Sequence, residues 1–165
     1  MLPLTILATQ KVSDLLTSDE ALQQQIASIA AAANDSIPEI TAAQIVLSSA
    51  SPDIADRNIQ LTYPRICLYS GGVRNTQEEK FRSLSGAVSV VAEIWASGNL
   101  VNNTDRWIHF YVEAMTNILR QNIGDWGDGL FFSGAYDVQF QAPKSGGLGF
   151  VQSAKVVSTL NVSRN

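Results

Sequence analysis

The chain has 165 residues, which is enough for one well-packed core, and we expect a single domain over residues 1–165. Its formal net charge of −4 disfavours tight binding to a phosphate backbone, which requires clustered Lys and Arg. Only 16% of the residues are charged, where about 25% is typical. Either partners cover much of the surface, or Ser, Thr, Asn and Gln supply its polar groups.

The sequence carries no recognisable export or membrane signal. Its N-terminus lacks the basic region and apolar core of a signal peptide, and no run approaches the roughly 18 to 20 apolar residues that span a bilayer. Cys67 is the only cysteine, so an intrachain disulfide is impossible and a reducing compartment is expected. We therefore expect a soluble intracellular protein with no membrane partner.

A helix is predicted near the N-terminus. Apolar residues recur there at three- and four-residue spacing, and Thr17 with Glu20 has the form of a capping box. We place the helix at about residues 18–33, with a looser helical segment before it. Asn34 and Pro38 mark its end.

Two short strand candidates follow. Residues 41–47 are compatible with one strand, and residues 48–58 are predicted as a surface loop from their Ser, Pro, Asp and Asn content. Residues 59–69 contain the second candidate. Because proline cannot donate a ladder hydrogen bond, we expect this strand to begin after the proline, near Arg65, and to end before the Gly-Gly pair that follows.

Residues 70–86 carry the densest charge in the chain. This stretch is too long for a tight hairpin turn, and long loops in compact domains are often functional. Its charged residues are Arg74, Glu78, Glu79, Lys80 and Arg82. Their mixed signs indicate either salt bridges to a partner or plain solvation, and both interpretations stay open.

A long strand and an amphipathic helix form the centre of the sequence. Over residues 86–97 apolar positions alternate with mixed ones, which predicts a strand with one buried face. Over residues 107–119 apolar positions recur at helical spacing and form one stripe. The helix must therefore pack against a sheet.

Local chemistry predicts where this central helix begins and ends. Asn102, Asn103 or Thr104 can supply the N-terminal cap, with Asp105 in the first turn. Gly124 is expected to terminate the helix, because a left-handed residue costs glycine little.

The remaining sequence predicts a pair of strands. Residues 130–140 alternate in polarity, residues 143–149 are expected to be flexible, and a last strand covers about residues 150–162. The order of helix, strands, helix and hairpin indicates the α+β class. We expect a mainly antiparallel sheet of about four to five strands at residues 59–163, with the central helix and the N-terminal helix packed on it.

No catalytic, cofactor or metal site is predicted, and we do not expect an enzyme. His109 is the only histidine and has no catalytic pattern of Ser, Cys or Asp beside it, so we interpret it as structural. Asp125 and Asp128 lack the ligand alternation of a calcium loop, and the glycine clusters do not open helices as phosphate cradles do. The three tryptophans lack the basic neighbours of a base-stacking platform and are interpreted as core or interface residues.

The strand PRICLY, the charged segment, the strand GAVSVVAEIWAS, the helix NTDRWIHFYVEAMTNILRQN and the hairpin AYDVQFQAP to AKVVSTLNV occur in this order. Over roughly residues 65–163 this order resembles the tail-terminator (tail-completion) proteins of long-tailed bacteriophages. The resemblance implies a structural virion protein that forms a homohexameric ring. Such a ring caps the tail tube, ends its polymerisation and joins the tail to the head or neck.

The resemblance also implies a set of partners and a location. The partners are further copies of the chain, the tail tube protein and a neck or head-completion protein, with the sheath as an additional candidate. DNA would only pass through the lumen, which the acidic charge suits. The location is the tail–neck junction of the virion, after assembly in the host bacterial cytoplasm, and the family brings no catalytic residue or cofactor.

Two segments are the candidate contacts to neighbouring subunits or to the tube. One is the charged segment at residues 70–86, and the other is the tip of the last hairpin, with Lys144, Gly146, Gly147 and Leu148. Two alternative functions stay open. They are another head–tail joining part, such as an adaptor or neck protein, and a small-molecule-binding α+β domain.

Overall fold

A computed structural model describes residues 2–48 and 62–165. We number its α-helices and strands in chain order. They are α1 (Leu4–Thr17), α2 (Ala21–Ala33), β1 (Ile45–Val46), β2 (Arg65–Asn75), β3 (Leu84–Gly98), α3 (Val101–Gln121), β4 (Gly124–Gly127), β5 (Leu130–Phe140), β6 (Lys144–Gly146) and β7 (Gly149–Arg164).

The strands form one mostly antiparallel sheet, which confirms the α+β class. The strand order is β1-β2-β3-β7-β5-β4, and β6 pairs with β7 beside the end of β5. Only the β1–β2 pair is parallel among the described strands. The predicted number of four to five strands is too low, because β1, β4 and β6 have two to four residues and are too short to show an alternating pattern.

The long strands β3 and β7 form the centre of the sheet. Their residues pair in one unbroken register from Leu84 opposite Arg164 to Gly98 opposite Phe150. The even-numbered residues of β3 from Val88 to Ala96 are buried, as the alternation predicted. They form one core with apolar residues of all three helices, so the helices lie on one face of the sheet.

The helix α3 confirms the predicted apolar stripe but not the predicted ends. Its stripe from Ile108 to Leu119 is buried on the sheet. The helix begins at Val101, directly after β3, so no side chain caps it and Asp105 lies beyond the first turn. At the other end Asn122 donates its side-chain amide to the helix at 2.8 Å, which leaves no need for a terminal glycine.

Gly124 belongs to β4 instead of ending the helix. Its φ of +139° allows the chain to turn from α3 into this strand. Trp126 then packs its ring 5.2 Å from that of Phe132 and donates its indole N–H to the Asn122 carbonyl oxygen at 2.7 Å. The prediction that Gly124 terminates the helix is therefore wrong.

The N-terminal region contains two helices: α2 lies within the helix predicted at residues 18–33, and α1 occupies the looser helical segment predicted before it. α1 is a full helix of 14 residues, and the Thr17 hydroxyl donates to a carbonyl oxygen one turn earlier at 2.9 Å. The chain then bends at Asp19 and Glu20, whose φ angles are 51° and 56°, before α2 begins. The predicted capping box is wrong, because the Thr17 hydroxyl is used inside α1. Asn34 ends α2, as predicted, and adopts a left-handed conformation.

Residues 41–47 contain less strand than predicted. A short 3-10 turn, in which the Thr41 N–H donates to Gln44 Oε1 at 2.7 Å, occupies the first half and leaves only β1 to pair with β2. The loop predicted at residues 48–58 and the start of the strand predicted at 59–69 lie almost entirely outside the described residues.

The strand β2 begins at Arg65 as predicted but ends later. It passes through the glycine pair with a bulge and continues to Asn75. A Cβ at Gly71 would lie 2.7 Å from Ser89 Oγ, so this glycine permits close approach to β3 rather than ending the strand. The predicted loop of residues 70–86 therefore shortens to residues 76–83.

The C-terminal strands confirm the predicted antiparallel pair. β5 and β7 are neighbours in the sheet, and β7 extends beyond the predicted residues 150–162 at both ends. Residues 143–149 differ from the flexible segment that we expected. Three of them form β6, because the ladder along β7 resumes after the interruption at Pro143.

The buried hydroxyl of Tyr111 ties α3 to the segment that follows α2. It donates to the Pro38 carbonyl oxygen at 2.6 Å, and the Tyr111 side chain is fully buried. Tyr111→Phe leaves this carbonyl without its partner, so we expect the free energy of unfolding to fall by about 1 to 3 kcal/mol. Urea denaturation measures the change. Tyr136→Phe, at a half-buried tyrosine, is the matched control, and equal effects of the two variants would contradict the assignment.

Candidate interaction surfaces

The two predicted contact segments lie at opposite ends of the sheet. The loop of residues 76–83, here called the charged loop, precedes the Leu84 end of β3. The turn between β6 and β7, here called the hairpin tip, lies beside the Gly98 end. With about 3.3 Å per residue, these two ends of β3 are about 46 Å apart. The predicted residues therefore form two separate surfaces rather than one site.

The charged loop is docked on the end of β7. Glu79 Oε2 lies 3.3 Å from Arg82 Nε and accepts a hydrogen bond from the Ser163 hydroxyl at 2.8 Å. Arg82 also donates to the Asn165 side chain at 2.7 Å. The charges of Glu79 and Arg82 are thus paired within the subunit, and they hold the loop in place.

Other predicted residues of this region remain exposed. Glu78 and Lys80 lie on the outside of the charged loop, and Arg74 lies on the exposed end of β2. Between Lys80 and Arg82 the side chain of Phe81 is 100% exposed. A phenylalanine in that position is an apolar contact group that none of the described residues covers. The sequence pattern did not single it out, because one apolar residue inside a charged segment has no periodicity.

A groove runs beside the charged loop. It has a volume of about 660 Å³, and its lining includes Glu78, Glu79, Asp125 and Phe131. Three carboxylates repel anionic ligands such as phosphate groups. A partner that enters this groove is expected to present basic or apolar groups.

The hairpin tip is fixed by a contact with β3. The Leu148 N–H donates to Ser97 Oγ at 2.7 Å, and Gly147 adopts a φ of +53°. A Cβ at Gly147 would lie 2.3 Å from the same Ser97 oxygen, so this turn requires glycine. The tip therefore presents Leu148, which is 69% exposed, in a defined position. Leu100 and Val101, at the start of α3, are also exposed at this end of the sheet.

The face of the sheet opposite the helices, here called the open face, has a separate small cluster. Cys67, Trp95 and Val151 are buried on it. Burial raises the pKa of the Cys67 thiol, although the neighbouring Arg65 opposes the shift. A buried protonated thiol is a poor nucleophile, so this cysteine is a packing residue.

The open face also carries a hydrogen-bonded pair of polar side chains. The Tyr69 hydroxyl donates to Glu93 Oε2 at 2.9 Å. Partial burial, followed by the hydrogen bond to Glu93, raises the pKa of Tyr69 to about 12. The tyrosine thus stays neutral over the physiological range and anchors the carboxylate.

The residues considered for chemistry have the following contacts. The His109 ring is tilted against Phe140 with 4.5 Å between the centroids, and its Nε2 lies 3.9 Å from Asp105. Asp125 accepts a hydrogen bond from a backbone N–H of its own turn, while Asp128 pairs with a lysine of α1 at 3.4 Å. Within residues 2–48 and 62–165, His, Cys, Asp and Glu form no group of three that could hold a metal ion.

No protein-family model matches this chain, and no curated protein is significantly similar to it. None of the helices in the described part of the chain combines the length and the apolar character needed to cross a membrane.

The raised pKa of Tyr69 predicts a pH-dependent loss of stability. Below pH 10 the tyrosine is neutral in both states and its contribution is complete. As the pH rises from 10 towards 12, the unfolded chain loses the proton first, so the free energy of unfolding falls. We expect Tyr69→Phe to lose less stability than the wild type over this range. Urea denaturation of both proteins from about pH 9 to pH 12, the range around the two pKa values of Tyr69, measures the free energy of unfolding. Equal losses of stability in the wild type and the variant would contradict the prediction.

Proposed function

We propose that this chain is a tail-terminator-type ring protein of a long-tailed bacteriophage. The observation that carries the proposal is the pair of surfaces at opposite ends of the rigid β3–β7 pair. A ring that joins two different structures needs one contact surface for each, separated along the ring axis. The charged loop and the hairpin tip supply two such surfaces in every subunit.

Each end surface combines a fixed backbone with an exposed apolar side chain. Phe81 lies at one end and Leu148 at the other. Burial of one such side chain contributes roughly 1.5 to 3 kcal/mol, and a ring repeats each contact in every subunit. Because all copies engage together, the summed contact is far stronger than a single one.

The proposed mechanism is binding and geometry, without a reaction. One ring surface occupies the end of the tail tube, so no further tube subunit can add. The other surface contacts a neck or head-completion protein, and the sheath is an additional candidate partner. The ring is a homohexamer at the tail–neck junction, assembled in the bacterial cytoplasm, and DNA passes through its lumen.

The same two-ended geometry also fits another head–tail joining part, such as an adaptor or neck protein. The two functions differ in the position of the protein within the particle. A gold-labelled C-terminal tag, viewed by electron microscopy, separates them. A label at the tube end of isolated tails supports the terminator, whereas a label only on heads supports the adaptor.

Silencing the gene in cells that produce the virus tests the terminator function. Without the cap, tube subunits continue to add, so we expect tails of variable excess length and heads without tails. Electron microscopy of lysates measures tail lengths and joined particles. Joined particles with tails of normal length would contradict the proposal.

Single substitutions at the two ends are expected to separate the two joints. Leu148→Ser and Phe81→Ser each remove an exposed apolar contact, so neither should change the thermal unfolding midpoint. Each should lower the yield of joined particles, one through tube capping and the other through head attachment. Ile6→Ser, on the exposed side of α1, is the matched control. Normal yields for both end variants would exclude these two contacts.

A further inference from the structure

The sheet has two free edges among the described strands. On β2, the strand β1 pairs only with Ile66 and Cys67, so residues 70–75 have no strand from residues 2–48 or 62–165 on their outer side. On β5, the strand β4 pairs only up to Phe132, so the outer side of residues 133–140 likewise pairs with no described strand. Such edges present unpaired backbone N–H and C=O groups that favour pairing with another strand.

The directions of the two edge strands suit a head-to-tail contact. β2 is antiparallel to β3, whereas β5 runs in the same direction as β3 because both are antiparallel to β7. In a ring all copies point the same way along the axis. The β5 edge of one copy and the β2 edge of the next are therefore antiparallel, which continues the pattern of the sheet.

The two edges also carry opposite charges on the same face. Arg74 lies opposite Ala87, while Asp137 lies in the row that includes Val157 and Val91. Ala87 and Val91 are four residues apart on β3, so Arg74 and Asp137 share the open face. Both side chains are exposed, and neither has an ion pair or hydrogen bond within the described residues.

Charge also selects between the possible pairings of these edges. A two-fold contact of β5 with β5 centred on Asp137 would place two carboxylates opposite each other. A two-fold contact of β2 with β2 centred on Arg74 would place two guanidinium groups opposite each other. Like charges directly opposite are destabilising, whereas opposite charges stabilise a cross-strand pair. The contact of β5 with β2 is thus the favoured one.

The positions of the two charges agree with closure into a ring. Measured along the strands, the positions of Arg74 and Asp137 are four residues apart, or about 13 Å. Measured across the strands β2, β3, β7 and β5, one copy is about 19 Å wide. Pairing Arg74 with Asp137 of the next copy then tilts the strands by about 35° to the ring axis. Closed sheets have strand tilts of about 35° to 45°.

We propose that the β5 edge of each copy pairs with the β2 edge of the next, with Asp137 opposite Arg74, and that this contact closes the ring. The inference rests on the proposed ring function and assigns its side-to-side contact. The end surfaces with Phe81 and Leu148 stay free for the tube and the neck.

A charge exchange tests this pairing. Arg74→Asp and Asp137→Arg should each raise the concentration needed for half-assembly at least about tenfold, because each places like charges across the contact. The double exchange should restore assembly. Asp14→Arg, which makes the same charge change as Asp137→Arg at an exposed position of α1, is the control and should assemble normally. Sedimentation velocity, alone and with isolated tail tubes, measures assembly, and circular dichroism verifies folding.

The outcomes separate the edge contact from the ring function. If the wild type assembles and the single variants assemble equally well, the edge pairing is wrong while the ring stands. If the wild type does not assemble under either condition, the ring function fails and the edge pairing fails with it.

Cysteine cross-linking tests the register independently. Residues directly opposite on antiparallel strands have Cα atoms about 4.5 to 5.5 Å apart, within the range for a disulfide. Oxidation of the Arg74→Cys, Asp137→Cys double variant should give a ladder of covalent oligomers on a denaturing gel, and each single variant should give dimers at most. Cys67 is buried and can stay. If the assembled double variant gives no ladder, the proposed register is wrong.

Discussion

The uninterrupted pairing of β3 with β7 is the constraint on which the rest of the structure depends. Its register holds from Leu84 to Gly98 without a bulge, so both ends of the sheet are fixed relative to each other. The charged loop is docked at one end and the hairpin tip at the other. Two surfaces about 46 Å apart are thereby held on one rigid pair of strands.

The helices divide the sheet into two chemically different faces. One face is buried under all three helices, whereas the open face carries the Tyr69 and Glu93 pair together with Arg74 and Asp137. In the proposed ring, continuation of the sheet from copy to copy makes the open face a continuous surface. The helices then lie on the other side of every subunit, where they do not obstruct the pairing of edges.

The fold could be predicted from sequence where a pattern extends over many residues. The alternation in β3 and the stripe of α3 each repeat over several turns or pleats, and both are confirmed. The predicted cap at Asn102, Asn103 or Thr104 and the predicted end at Gly124 were wrong. α3 begins at Val101 without a side-chain cap and ends at Gln121, where the Asn122 side chain donates to the last turn. Likewise the glycine pair after Ser70 reads as a stop, although it serves the close approach of β2 to β3.

The candidate surfaces were only partly visible in the sequence. Composition pointed to the charged loop and to the glycine-rich hairpin, but it could not show that they lie at opposite ends of one sheet. Phe81 and Asp137 carry no sequence signal, because exposure and edge position arise only when the strands are assembled. A free edge is a property of the whole sheet, and no single segment encodes it.

Ring formation is tested by the mass of the purified chain in light scattering, measured for the chain alone and with isolated tail tubes, followed by negative-stain imaging. The chain has a mass of 17.8 kDa. The proposed hexamer is a particle of about six such masses that appears as a ring with a central hole. A monomer under both conditions would contradict it.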